Sequence, residues 1–132
     1  MPTSPYEVDT PGKHLAITAE SLYLLNLLLF PGLAFLILLL VYVFKQSNAS
    51  PLAANHLAQT VGVSMIGGAM IVGIIVLLFF FLGLNSAYTW TVVVLYFTLI
   101  HSSLILLGVI GLVKAMSGEH FVYPVIGKLF SS

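Results

Sequence analysis

From Ser21 to Phe44 the chain carries no charged residue, and two further apolar runs follow, from about Leu57 to Gly83 and from Tyr88 to Val113. A helix needs about 20 predominantly apolar residues to cross the hydrocarbon of a bilayer. Each run reaches that length. Inside lipid a backbone must satisfy its own hydrogen bonds, so runs of this kind are read as helices. The expected architecture is an all-α integral membrane protein with three transmembrane helices, over residues 21–44, 57–83 and 88–113, and a C-terminal interfacial segment.

Composition agrees with that reading. A soluble domain is roughly one quarter charged; this chain is 6% charged and 60% hydrophobic over 132 residues. Its mean hydropathy is +1.13. With four lysines, no arginine and four acids, it lacks the basic patch that phosphate neutralisation needs, so no nucleic-acid partner is expected. The absence of cysteine removes disulfides, thiolate nucleophiles and Cys-ligated metals. The polar, proline-bearing first twenty residues do not resemble a cleavable signal peptide.

Residues 1–17 read as an extramembrane tail, and Thr18 with Glu20 as helix-start signals. Residues 18–115 then form the membrane domain. Pro31–Gly32 should kink the first span, and Asn26, near that span's outer end, should bond to a neighbouring helix, to Glu20 or to water. Ser50–Pro51 resembles a cap followed by proline at the first helical position. Leu84 to Ala87 is so short that the second and third spans must be an antiparallel hairpin. Residues 116–132 suit a cytoplasmic interfacial tail, apolar side chains down and polar groups up. With three spans, Lys13 falls on one side and Lys45, Lys114 and Lys128 on the other. The positive-inside rule then puts the N-terminus outside and the 45–56 loop and the C-terminus in the cytoplasm. Tyr23, Tyr88 and Trp90 would belong to the outer aromatic belt and Tyr42 to the inner one.

An ionisable residue deep in a membrane is a candidate functional group. His101 lies thirteen residues in from Tyr88, roughly 20 Å at about 1.5 Å per residue. The same depth on the second span falls near Gly67, Gly68, Ala69 and Gly73. Small residues admit close helix approach, so His101 is read first as a neutral histidine packed over a glycine notch. It would bond Thr98, Ser102 or a carbonyl; a proton relay or a haem or quinone contact is the sharper alternative. His56, Thr60, Ser64 and Gly68 recur at i, i+4 and share one face. That line and the patch of Thr98, His101 and Ser102 are expected to pack, the alternative being a wet path. Glu119 and His120 make at most a weak cation pair. No nucleophile with its base is recognisable, so no enzyme activity, cofactor or metal is expected.

Two stretches resemble a known family. Ser50–Pro51–Leu52–Ala53–Ala54–Asn55–His56–Leu57–Ala58–Gln59 is similar to the start of the second span in a widespread family of small bacterial membrane proteins of unknown function. Lys114–Ala115–Met116–Ser117–Gly118–Glu119–His120–Phe121–Val122–Tyr123–Pro124 is similar to that family's ending. The family is distantly similar to the small polytopic subunit of the chloroplast inner-envelope import translocon (Tic). The resemblance covers about residues 20–130 and implies that His56, Gly118, Glu119, Tyr123 and Pro124 are marked positions. Val122 departs from it, standing where many members carry arginine, and so does Thr60–Val61–Gly62. The five marked residues would gather at the cytoplasmic rim, where His56 and Glu119 could pair.

These features predict a non-catalytic accessory or scaffolding subunit, held in the lipid bilayer and joined to a larger membrane complex or to itself through helix faces. A transport component working as an oligomer is the alternative, and a haem- or quinone-binding protein a further one.

Overall fold

The two longest apolar runs form helices joined by the expected tight turn. In the computed structural model, which describes residues 10–130, they are α3 (Pro51–Leu82) and α4 (Ala87–Met116). At about 1.5 Å per residue these are roughly 48 and 45 Å long, more than the ~30 Å of bilayer hydrocarbon. Ser50 starts α3 with extended backbone; its hydroxyl oxygen accepts the N–H of Ala53 at 3.4 Å, and Pro51 takes the first helical position. The missing proline N–H is harmless there. At the turn, Trp90 Nε1–H donates to Leu84 O (2.8 Å) while its ring packs edge-on against Phe79. Only 6% and 17% of the most apolar stretches of α3 and α4 are buried. A soluble core helix of such composition would be hidden from solvent. Apolar surface turned outward points to a membrane location.

The first apolar run departs from expectation. Two helices, not three, are long and apolar enough to span a membrane. Residues 21–44 break into α1 (Lys13–Leu28) and α2 (Leu33–Lys45), of about 24 and 20 Å, both too short to cross. Pro31 cannot donate a helical hydrogen bond, and it turns the residue before it away from helix. Gly32 takes φ +86°, which glycine adopts without a Cβ penalty. Asn26 closes this turn locally, its Oδ1 accepting the Gly32 N–H at 2.8 Å. The proline–glycine pair therefore breaks the helix where a kink was expected.

The break also reverses the chain. Ser50 Oγ donates to the carbonyl of Pro11 (2.7 Å), and Gln46 Nε2 donates to that of Ala54 (3.3 Å). The beginning of α1 and the end of α2 thus both sit at the start of α3, and the two short helices form a hairpin against its first half. At the tip of that hairpin, Pro31 lines one cavity with Gly68, Ile71 and His101. The helix start also moves. Thr18 and Glu20 lie inside α1, Thr18 bonding back to the His14 carbonyl and Glu20 fully buried.

Lys13 now shares an end of the molecule with Lys45 and Lys114, so the three-against-one distribution does not hold. Tyr23 leaves the expected outer belt, because it is buried beside Leu104 and Gly108, well below Tyr88 and Trp90. Residues 1–9, the greater part of the expected tail, lie outside the described residues.

The chain after α4 is docked against α3. Gly118, at φ +73°, ends the helix, and the N–H of Glu119 reaches back to the Lys114 carbonyl at 2.8 Å. This is the glycine-terminated Schellman closure. The following residues run against α3 and finish in a short 3₁₀ turn, Gly127–Phe130. Phe130 lies over Gly62, where a Cβ would collide with its ring.

Candidate functional site

Four chain segments meet at the lysine-bearing end around a buried carboxylate. Glu20 comes from α1, His56 from the second turn of α3, Tyr123 from the C-terminal segment, and α4 supplies Gly111. Glu20, His56 and Tyr123 are each 0% exposed. His56 Nδ1 lies 2.7 Å from Glu20 Oε1, and the Tyr123 hydroxyl donates to Glu20 Oε2 at 2.6 Å. A Cβ on Gly111 would sit 2.6 Å from that same Oε2, so glycine makes the space the carboxylate occupies. A buried carboxylate is costly unless paired and hydrogen-bonded. Here both oxygens are used.

His56 Nε2 faces the carbonyl of Glu119 at 2.8 Å. A carbonyl only accepts, so Nε2 carries hydrogen and donates. One further proton lies between Nδ1 and Oε1, whether it is drawn on the imidazole or on the carboxyl. Burial first, and then the adjoining Glu20 carboxylate, push the Tyr123 phenol above its ordinary value. It therefore remains a donor.

A second layer holds the C-terminal segment by its backbone. Asn55 Oδ1 accepts the N–H of Phe121 (2.8 Å), and Gln59 Oε1 accepts that of Tyr123 (3.1 Å). Gln59 Nε2 donates in turn to the carbonyl of Gly127 at 2.8 Å. Asn55 and Gln59 are four residues apart, so their amides project from one face. Tyr23 packs edge-on against Tyr123, with ring centroids 5.4 Å apart, and donates its hydroxyl to the Leu104 carbonyl at 3.0 Å. Gly108 admits that ring: a Cβ there would be 2.6 Å from Tyr23 Cε1.

The residues singled out from sequence divide into those joined here and those left apart. His56, Glu119 and Tyr123 meet, but the carboxylate that pairs with His56 is Glu20. The Glu119 carboxylate instead takes Lys114 Nζ at 2.7 Å, with both side chains about half exposed. Thr60 is buried and bonds back to the His56 carbonyl at 2.7 Å. Pro124 precedes a tight turn in which Ile126 N–H reaches the Pro124 carbonyl at 2.7 Å across Val125, whose φ is +67°.

The His101 constellation does not assemble as expected. His101 stacks on Phe97, with centroids 4.9 Å apart, beside a cavity of about 210 Å³ that Ser64, Gly68, Asn26 and Tyr23 also line. Thr98 and Ser102 are exposed and away from it. Ser64 Oγ is buried without a hydrogen-bond partner. A Cβ on Gly67 would meet Leu104 Cδ1 at 3.0 Å and not His101, and nothing comes within 4 Å of the Cβ positions of Gly68 and Gly73. Among the described residues, no cluster of three or more His, Asp or Glu could hold a metal ion.

Sequence reasoning missed Glu20, Tyr23, Asn55 and Gln59 as partners. A signal for Glu20 existed: it is the one acid bordering the long uncharged run, and a charge there needs a partner once α1 packs.

A family model described as the magnetosome magnetite crystal formation protein family matches residues 13–130. No curated protein and no solved structure matches the chain. The matched region runs from the first residue of α1 to the end of the last 3₁₀ turn and takes in the whole Glu20 network. It gives a small bacterial membrane-protein family and no link to the chloroplast import translocon.

Proposed function

We propose, on the premise that this chain belongs to the magnetosome magnetite crystal formation protein family, that it is a non-catalytic accessory subunit embedded in the membrane where that process occurs. One observation carries the reading. Glu20, His56, Gln59 and Tyr123, buried at the lysine-bearing end, bond to one another and to backbone, and with Gly111 making room for the carboxylate they gather four segments together. A reaction centre keeps groups free for a substrate; these groups are spent on architecture. The surface they create is built from the start of α3 and the C-terminal segment, and it is offered as the docking face for a larger complex. All four lysines lie towards this end, so the positive-inside rule turns it to the cytoplasm.

Deleting the gene in its host, and complementing with wild-type or Glu20→Ala chain, tests this reading. Electron microscopy should show magnetite crystals altered in size or shape in the deletion and in the Glu20→Ala strain, and restored by the wild type. Unaltered crystals in the deletion would overturn it. Mild-detergent purification should also bring down a stoichiometric partner.

Transport by an oligomer is supported only by the His101 cavity. Liposome flux abolished by His101→Leu would favour it.

A further inference from the structure

The two halves of the molecule differ in width. From the start of α3 to the level of Gly68–Ile71, α1 lies against α3 and α4, and α2 against α1 and α3; beyond that level, among the described residues, α3 and α4 continue alone to the turn at Gly83–Ser86. The uncharged stretch of α3 from Leu57 to Leu82 has its midpoint at Ala69–Met70, and the apolar run of α4 has its midpoint near His101. Both midpoints coincide with the tip of the α1–α2 hairpin, where Pro31 meets Gly68, Ile71 and His101. With α3 and α4 across a bilayer, the hairpin therefore ends at the midplane.

The hairpin is also dressed for lipid. Leu33, Leu36, Leu40, Val43 and Phe44 of α2 are all more than half exposed, and so are Leu29 and Phe30 at the tip. A soluble protein would not leave such a face in water. The occupant of the space around α2 is hydrocarbon of one leaflet. In the opposite leaflet, acyl chains fill the room beside α3 and α4 that the hairpin leaves vacant.

We propose that this chain is a one-leaflet wedge, which concentrates in strongly curved membrane with its four-helix half in the convex leaflet. Four helices, each about 10 Å across, displace roughly twice the lipid area of two. Such a shape is best accommodated where one leaflet is expanded over the other. The inference uses the membrane location but goes beyond the accessory role, and it needs neither a partner nor a crystal.

The full chain would be reconstituted into phosphatidylcholine–phosphatidylglycerol vesicles spanning about 30 to about 400 nm, and protein per lipid area read on single vesicles by fluorescence; insertion into one leaflet is curvature-sensitive. Several-fold enrichment on the smallest vesicles is expected, with Lys45 and Lys114 open to a membrane-impermeant amine reagent from outside. Equal density at all diameters overturns the proposal, as does enrichment with those lysines inside. The double variant L29S/F30S changes two exposed tip residues and should keep the helical circular-dichroism spectrum while losing most of the enrichment. Undiminished enrichment would show that the hairpin is not the wedge. Normal crystals after gene deletion would remove the accessory role and leave this result standing.

Discussion

At the scale of single residues, the Glu20–His56 pair and the Lys114–Glu119 pair have the same separation and different worth. Both close at 2.7 Å, but the first is 0% exposed and the second about half exposed. Truncating one member of a buried pair leaves the other buried without its partner, at a cost of about 3–5 kcal/mol where the pair is ionic. An exposed pair contributes about 1 kcal/mol or less. Thermal unfolding in detergent should therefore show His56→Ala or Glu20→Ala lowering stability severely, with Lys114→Ala close to wild type. Equal effects would mean that the first pair is not buried. Glycines divide in the same way. Gly111→Ala places a Cβ 2.6 Å from the Glu20 carboxylate, and Gly108→Ala one 2.6 Å from Tyr23. Overpacking of this kind costs about 1–3 kcal/mol. Gly68→Ala and Gly73→Ala meet nothing within 4 Å and should hold or raise stability, alanine being favoured over glycine in helices by roughly 0.8–1 kcal/mol.

At the scale of elements, the C-terminal segment has no helix of its own until Gly127 and depends on α3 for backbone partners. Its three bonds from Asn55 and Gln59 replace those that a helix would have made internally. Gln59→Leu removes two of them and leaves buried backbone groups unmatched. Hydrogen exchange at the amide of Tyr123, which Gln59 Oε1 holds, should accelerate by more than tenfold, while α4 amides near Leu104 stay protected; each lost bond is worth about 1 kcal/mol net and more when its partner stays buried. Unchanged exchange would place the segment's anchorage elsewhere. This docking was not legible from composition, because Asn55 and Gln59 lie in a stretch that reads as polar connection. Their function appears only once the segment lies alongside. As helix caps, Ser50–Pro51 and Gly118 act through neighbours one to five residues away, and the capping role of Ser50–Pro51 is legible without the fold.

For the whole molecule, sidedness is the sharpest consequence of the broken first helix. A single straight span would separate Lys13 from Lys45, whereas a hairpin keeps them together. The chain has no cysteine, so single cysteines can be introduced cleanly at His14, Gln46 and Asn85. In sealed vesicles of uniform orientation, the first two should react from one side and the third from the other. Reaction of His14→Cys from the same side as Asn85→Cys would restore three spans. The same geometry makes the molecule wide at one end and narrow at the other, a property that no individual helix possesses.

The run lengths and the scarcity of charge were enough by themselves to determine a helical protein and the α3–α4 hairpin and to point to a membrane location. These follow from periodicity-free hydrophobicity, from the backbone's need for internal hydrogen bonds, and from the shortness of the turn. Whether Pro31–Gly32 bends a helix or reverses it was decided by packing. α1 gains the contacts of Glu20 with His56 and Tyr123, and of Tyr23 with Leu104, only by descending alongside α3 and α4 from the lysine-bearing end. Residues separated by 36 and 103 positions cannot announce such a bargain locally. The partner of a buried charge is chosen by the space around it, and that space exists only in three dimensions.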